Sequence, residues 1–321
     1  MGGEDRYIGQ RVLAIRMRRG ITQQVLADRV GLSRGAIAKY ENGERPVDSR
    51  RTLLDLAAAL GVTIGDLTGH EQDRMDRSTA GFHSVVPDLE TVLWTRGDIT
   101  DTRVPRTLDE LTADSCQATK LRNDCDYAAL GPMLVPMLTD AYRHVRDTDS
   151  EQAWDVLGTV AYGVASALRA RGYHSLAWTA AQEVGRAADR IGSPAQYAAA
   201  AFSQGQIMLS RPGALPAALS TTMGMASKIA GDVCTVGEIE TYGMLHLQAS
   251  IVVATMGIDP EPHLTEAVEQ AGRLASAMPN TSVAHNESFG LANVALWRMS
   301  AAMERREPGE GARPRAHPVA R

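Results

Sequence analysis

Residues 22–43, TQQVLADRVGLSRGAIAKYENG, constrain the fold of this chain more than any other segment. Thr22 is a favoured N-cap residue, and Gly31 can adopt the left-handed backbone that ends a helix. Apolar residues recur at helical spacing on both sides of that glycine. The segment therefore predicts two short helices, Gln23–Val30 and Ser33–Glu41, joined by a tight turn. Within them Val25, Leu26, Ala27 and Ile37 are expected near the core, with Arg34 and Lys39 outward.

The flanking residues complete a small helical domain. Apolar spacing and terminal glycines predict three further helical segments. They cover Tyr7–Arg18, Arg50–Leu60 and Ile64–Leu67. We therefore assign residues 1–68 to a five-helix domain and the polar residues 69–105 to a linker with one short helix at Asp88–Trp94.

From Leu108 onward, long amphipathic segments alternate with glycine or proline breaks. They predict helix pairs, and Trp154, Leu157 and Gly158 fit the opening pattern of a tetratricopeptide (TPR) unit. The units exceed the roughly 34 residues of the standard repeat. The predicted helices are 108–121 with 127–145, 152–170 with 174–191, 195–209 with 215–230, 236–255 with 262–277, and 287–305. We predict a TPR-like α-solenoid over 106–306 and a disordered tail over 307–321, with an unrelated helical bundle as the alternative.

The N-terminal motifs resemble the Cro/C1-type (XRE-like) helix-turn-helix regulators over about residues 7–69. The resemblance implies an all-α, lambda-repressor-like domain whose second motif helix enters the major groove of duplex DNA. It places Ser33, Arg34 and Gly35 against bases, with Lys39 one turn on, and makes Asn42 a phosphate ligand. The helix start at Gln23 and three following arginines are expected to add phosphate contacts. These arginines are Arg45, Arg50 and Arg51.

Three amides recur in the repeat region. Gln204, Gln248 and Asn293 lie 44 and 45 residues apart, each mid-way along the first helix of a predicted unit. Because an amide both donates and accepts, such a ladder on a concave face can bind an extended peptide. Asn286 and Trp297 share a helical stripe with Asn293. We predict a ligand site at these five residues. The alternative is ordinary surface polarity, with Asn286 as a helix cap.

Motifs for other chemistry were not found. The chain has no Walker loop, GxSxG or HExxH, and its histidines lack partners at metal-ligand spacing. We expect no enzyme activity, catalytic residue, cofactor or metal. Cys116, Cys125 and Cys234 predict unpaired, buried thiols in a reducing cytoplasm, where the protein would act at the nucleoid. The sequence contains no run of about 18 apolar residues, so we expect no contact with a membrane.

The charge is divided unevenly. Residues 1–70 carry a net charge of +3, and the remainder carries −8. This division favours nucleic-acid binding by the N-terminal domain alone. The full architecture resembles actinobacterial helix-turn-helix regulators with a C-terminal TPR-like domain. The resemblance implies a sequence-specific transcriptional regulator that senses a small ligand or peptide. Because a single small helix-turn-helix domain buries little surface, we also expect a homodimer on a two-fold operator, with the acidic C-terminal part as the dimer surface. The alternative is a DNA-tethered scaffold whose repeats dock a protein partner.

Overall fold

The computed structural model describes residues 3–47, 49–68, 80–100, 102–211, 213–277 and 289–305. Every regular element within these ranges is helical, which confirms the all-α prediction. No helix in the same ranges is long and apolar enough to cross a membrane.

Five helices form the N-terminal domain. They are α1 (Gly3–Arg18), α2 (Gln23–Val30), α3 (Arg34–Glu41), α4 (Arg50–Leu60) and α5 (Ile64–Thr68). The core takes Leu26, Ala27 and Ile37, all fully buried, as predicted. The prediction for Val25 is wrong, since this side chain is 41% exposed. Successive helical residues are turned by about 100°, so a face built on Leu26, Ala27 and Val30 leaves Val25 toward solvent.

Within the described residues, ten further α-helices follow. They are α6 (Ala80–Thr95), α7 (Leu108–Asn123), α8 (Tyr127–Thr148), α9 (Glu151–Ala170), α10 (His174–Ile191), α11 (Pro194–Met208), α12 (Leu215–Ile229), α13 (Val236–Thr255), α14 (Glu261–Ala277) and α15 (Leu291–Arg305). From α7 to α15 each helix packs against the next, and α6 packs against α8. The first helices of successive units, α9, α11 and α13, also contact each other in series. The predicted helix 287–305 begins later than expected, and the predicted tail 307–321 lies outside the described residues.

Helix α6 differs from its prediction. The sequence suggested a start at Asp88, but the helix begins at Ala80 and passes through Pro87. The proline ring is exposed, while Phe82, Val86 and Leu89 are buried in the core of the repeat region. Proline removes one backbone hydrogen bond from a helix. Burial of the apolar side chains on both sides of Pro87 offsets that loss.

Glycines on the first helices allow neighbouring units to approach closely. A Cβ atom at Gly158 of α9 would lie 2.7 Å from Gln196 Oε1 of α11. A Cβ at Gly205 of α11 would lie 2.7 Å from Gln248 Oε1 of α13. The same contact therefore recurs in two successive units. In each, a glycine on the first helix leaves room for a glutamine side chain from the first helix of the next unit.

The cysteine prediction is wrong in one respect. Cys116, Cys125 and Cys234 are unpaired, as expected, but all three are exposed rather than buried. Cys125 lies in the turn between α7 and α8, and Cys234 lies just before α13. Both are therefore at helix ends and not on the apolar face of a helix.

Candidate nucleic-acid interface and the repeat-domain cavity

The segment from α2 to α3 forms a helix, a glycine turn and a second helix. Thr22 caps α2 by accepting a hydrogen bond from the Val25 N–H at 3.2 Å. Gly31 ends α2 in the left-handed region at φ +70°. Ser33 then caps α3 by accepting from the Ala36 N–H at 3.1 Å. Side-chain caps and the glycine turn thus set both helix ends within a few residues.

The predicted base-reading residues are exposed. Ser33, Arg34, Gly35 and Lys39 all face solvent at or along α3, whereas Ile37 of the same helix is fully buried. The Ser33 hydroxyl already accepts a backbone hydrogen bond, so it would meet DNA as a donor. The arrangement leaves the start of α3 open to a major groove, and base contact by these four residues stays a prediction.

A buried polar network braces α3 against α1 and α2. The Arg16 guanidinium donates to both carboxylate oxygens of Glu41, at 2.5 and 2.9 Å, and to the Ile21 carbonyl at 2.7 Å. The Gln23 amide donates to Glu41 Oε2 at 2.7 Å. The side chain of Gln23 therefore acts within the domain, while its backbone N–H lies in the first turn of α2, where a phosphate can bind.

The Arg16–Glu41 pair was not predicted. The two residues are 25 positions apart, and Arg16 is one of two basic residues in the last turn of α1, where a basic side chain is expected to face solvent. A basic residue that coincides with the apolar face of α1, as Arg16 does with Val12, was the only available signal.

Asn42 and Arg45 remain candidate phosphate ligands. Asn42 is exposed as the C-cap of α3, with its amide nitrogen 3.5 Å from Glu44 Oε1. The Arg45 guanidinium carbon lies 5.5 Å from the centre of the Tyr40 ring, a cation–π contact that orients the side chain. Both residues follow α3 directly in the sequence, so we expect them to reach a DNA phosphate at the edge of the groove that α3 would enter.

Arg50 and Arg51 have a second partner that the sequence did not reveal. The Arg50 Nε atom lies 3.8 Å from Glu304 Oε1, and the Arg51 backbone N–H donates to Glu304 Oε2 at 3.3 Å. Burial lowers the pKa of the Arg50 guanidinium, and the charge of Glu304 opposes that change. The start of α4 therefore lies against the end of α15. Phosphate contact by these arginines stays a prediction, and a phosphate at the Arg50 side chain would compete with Glu304.

The predicted amide ladder is not formed as an exposed surface. Gln248 is fully buried, and its amide nitrogen donates to the Phe202 carbonyl at 2.8 Å. Its Oε1 atom accepts from the Thr222 hydroxyl at 2.9 Å. The assignment of Gln248 to a ligand site is therefore wrong, because its donor and acceptor atoms bond to α11 and α12.

The other predicted ligand residues do not converge with Gln248. Gln204 is half-buried and faces α10, where a Cβ at Gly185 would lie 3.8 Å from its amide nitrogen. Asn293 and Trp297 are half-buried on α15, and Trp297 packs on an apolar cluster with Phe289 and Val294. Asn286 lies outside the described residues.

A cavity of about 270 Å³ lies elsewhere on the first helices. Its wall includes Arg122 of α7, Tyr127 of α8, Tyr162 and Arg169 of α9, and Phe202 of α11. The sequence analysis missed this site because four separate helices contribute to it. The available signal was local: Tyr162 and Arg169 are seven residues apart, hence on one face of α9.

Together these features define a helix-turn-helix domain of the Cro/C1 type, followed by TPR-like helical repeats. Residues 8–70 match the family model described as a helix-turn-helix domain.

Two curated proteins are similar over the same region. The first is a propionyl-CoA carboxylase regulator of Cereibacter sphaeroides, 38% identical over 69 residues, which are 22% of this chain and 15% of that protein. The second is an immunity repressor protein of Bacillus phage phi105, 41% identical over 64 residues, which are 20% of this chain and 44% of that protein. The match thus spans less than half the length of each relative.

One solved structure aligns over most of the chain. It is Bacillus thuringiensis PlcR in complex with the peptide PapR7 and DNA, at 10% identity over 92% of this chain and 99% of that chain. The TM-score is 0.32, a likeness too low to carry an argument about this protein.

Proposed function

We propose that this protein is a sequence-specific DNA-binding transcriptional regulator rather than an enzyme, acting on duplex DNA in the cytoplasm. One observation carries the proposal: the polar start of α3 is exposed, while Ile37 of the same helix is fully buried. The Arg16–Glu41 network fixes the position of this helix in the domain. The match of residues 8–70 to the helix-turn-helix domain supports it. A rigid helix that presents arginine to a groove is the arrangement that direct readout of guanine needs.

Arg34 tests this proposal. An arginine that bonds guanine O6 and N7 contributes about 1–3 kcal/mol of discrimination, so Arg34→Ala should weaken operator binding about 5- to 150-fold. The loss should disappear on operators already substituted at the guanine that Arg34 contacts. Fluorescence anisotropy on selected duplexes measures both effects. Arg29→Ala is the matched control, since Arg29 is exposed on α2 and bonds the Ala59 carbonyl.

An equal loss of affinity on every duplex would make Arg34 a phosphate contact and would overturn its assignment as a base reader. Equal losses for Arg34→Ala and Arg29→Ala would show that only overall charge matters, which would contradict the proposal.

We propose further that the protein is a homodimer on a two-fold operator, with α15 at the interface. The side chains of Leu296, Met299 and Met303 are 58%, 60% and 49% exposed and recur at helical spacing along α15. The end of a solenoid requires a cover, and two copies of an exposed apolar stripe can cover each other. Met299→Glu should then produce a monomer in sedimentation equilibrium, whereas Met17→Glu, an equally exposed methionine on α1, should not.

The same stripe favours the second candidate, a DNA-tethered scaffold whose α15 docks a protein partner. The two candidate functions predict different oligomeric states for the protein without a partner. A wild-type monomer at micromolar concentration would contradict the dimer and favour the scaffold. Ligand sensing is also proposed, but it now rests on the cavity between α7 and α11, since Gln248 is occupied within the fold.

A further inference from the structure

Two arginines line the cavity without any carboxylate beside them. Arg122 and Arg169 lie on its wall with tyrosine, serine, asparagine and glutamine side chains, and no aspartate or glutamate is among the lining residues. Within the part of the chain that the structure describes, neither arginine has an ion-pair partner. A guanidinium group that is removed from water is usually paired with an anion, because loss of hydration without a compensating charge or hydrogen bond is costly.

The surroundings of Arg169 increase that cost. Burial is the main cause that lowers the pKa of its guanidinium, and the positive charges of Arg50 and Arg122 lower it further. The tyrosines Tyr162 and Tyr127 act in the opposite direction. An anion placed between Arg122 and Arg169 would relieve the repulsion and replace the lost hydration.

Aromatic rings form a second part of the cavity wall. Tyr127 and Tyr162 line the cavity together with Phe202. The Tyr127 ring is held by an edge contact with Phe82, with ring centres 5.7 Å apart, and by Arg171, whose guanidinium carbon lies 4.9 Å from the ring centre. The volume of about 270 Å³ is near the lower limit of small-molecule sites, roughly 300–1,000 Å³.

We propose that this cavity binds a small aromatic molecule that carries a carboxylate or a phosphate, with the anionic group between Arg122 and Arg169 and the ring against Tyr127 and Tyr162. The charge of Arg50 of α4 already acts on Arg169, so an anion bound beside Arg169 would also act electrostatically on the DNA-binding domain. This consequence for DNA rests on the proposed regulator, whereas the binding itself does not.

Three probes of similar shape test the proposal in the full-length protein by isothermal titration calorimetry. Benzoate carries a carboxylate, phenyl phosphate carries a phosphate, and benzamide carries neither. At least one anion should bind at millimolar concentration or tighter, and the stronger of the two identifies the group. Arg122→Gln and Arg169→Gln should each weaken that binding about tenfold or more, since a charge-assisted hydrogen bond is lost. Lys120→Gln is the matched control, since Lys120 is exposed on the same helix as Arg122 but does not line the cavity.

Several results would overturn the proposal. They are no binding of either anion, equal binding of benzamide, or equal losses for Lys120→Gln and the arginine variants. Circular dichroism checks each variant, and Arg122→Gln decides the case if Arg169→Gln does not fold. DNA affinity is measured on the same preparations. If the wild-type protein binds DNA but no anion, only the cavity proposal is refuted. If it binds the anion but no duplex, only the proposed regulator is refuted.

Discussion

Gly205→Ala should destabilise the repeat region even though alanine is the better helix former. A Cβ at this position of α11 would lie 2.7 Å from Oε1 of Gln248 and 2.8 Å from its Cδ and Nε2 atoms. Gln248 cannot move aside without cost, because its amide bonds the Phe202 carbonyl at 2.8 Å and the Thr222 hydroxyl at 2.9 Å. The added methyl group therefore conflicts with a buried hydrogen-bonded side chain, not with a mobile surface group.

The expected effect follows from three contributions. Overpacking costs about 1–3 kcal/mol, and each broken hydrogen bond costs about 1 kcal/mol. Replacing glycine by alanine within a helix contributes about 1 kcal/mol in the favourable direction. We expect Gly205→Ala to lower the free energy of unfolding by about 1–3 kcal/mol. In a Gln248→Ala background the contact is absent, so the same substitution should raise the free energy of unfolding by up to about 1 kcal/mol.

A double-mutant cycle in urea measures this change of sign. All four tryptophans, Trp94, Trp154, Trp178 and Trp297, lie beyond residue 80, so their fluorescence reports the repeat region and not the N-terminal domain. Gly224→Ala on α12 is the matched control, because no atom lies within 4 Å of its added Cβ. It should stabilise the protein slightly in both backgrounds. If Gly205→Ala has the same effect with and without Gln248, the interlocking of α11 and α13 is refuted.

Two further predictions concern charged groups. Glu304→Gln should tighten DNA binding about two- to fivefold, since Glu304 competes for Arg50 at the start of α4; anisotropy should show no such gain for Glu261→Gln, which loses only an exposed pair with Arg298. Burial raises the pKa of Glu240 from 4.5 to about 7, so the folded state favours the neutral acid and the free energy of unfolding should fall as pH rises from about 4.5 to 7. Glu240→Gln should remove this contribution, stabilising the protein relative to wild type by up to about 3 kcal/mol at pH 8 and little at pH 4 in urea titrations, and an equal difference at both pH values would contradict the burial argument.

The helices were largely predictable because their ends are written locally. Gly31 and Gly61 end α2 and α4 in the left-handed region, and Ser33 caps α3 through its own side chain. Such signals act over a few residues and do not depend on the rest of the fold. Helix α6 shows where they fail: the sequence suggests a helix start directly after Pro87, but burial of Phe82 and Leu89 on both sides of the proline extends the helix back to Ala80.

The candidate sites were less predictable, since each depends on how distant helices meet. Helical spacing placed Gln248 on a common face with neighbouring amides, but spacing does not show whether another helix covers that face. In this fold α11 and α12 cover it. The pairing of Arg50 with Glu304 and the placement of Arg122 beside Arg169 likewise join residues from separate helices. The exposed start of α3 was predictable because a short, familiar motif determines it.

Selection of duplexes from a random library by the full-length protein tests the central claim most directly. The account predicts enrichment of one two-fold motif whose half-sites lie about 34 Å, or one helical turn, apart, with a guanine in each half-site whose enrichment is lost in Arg34→Ala. The absence of any enriched motif would contradict the account, and a motif that Arg34→Ala enriches unchanged would show that α3 does not read the bases as described.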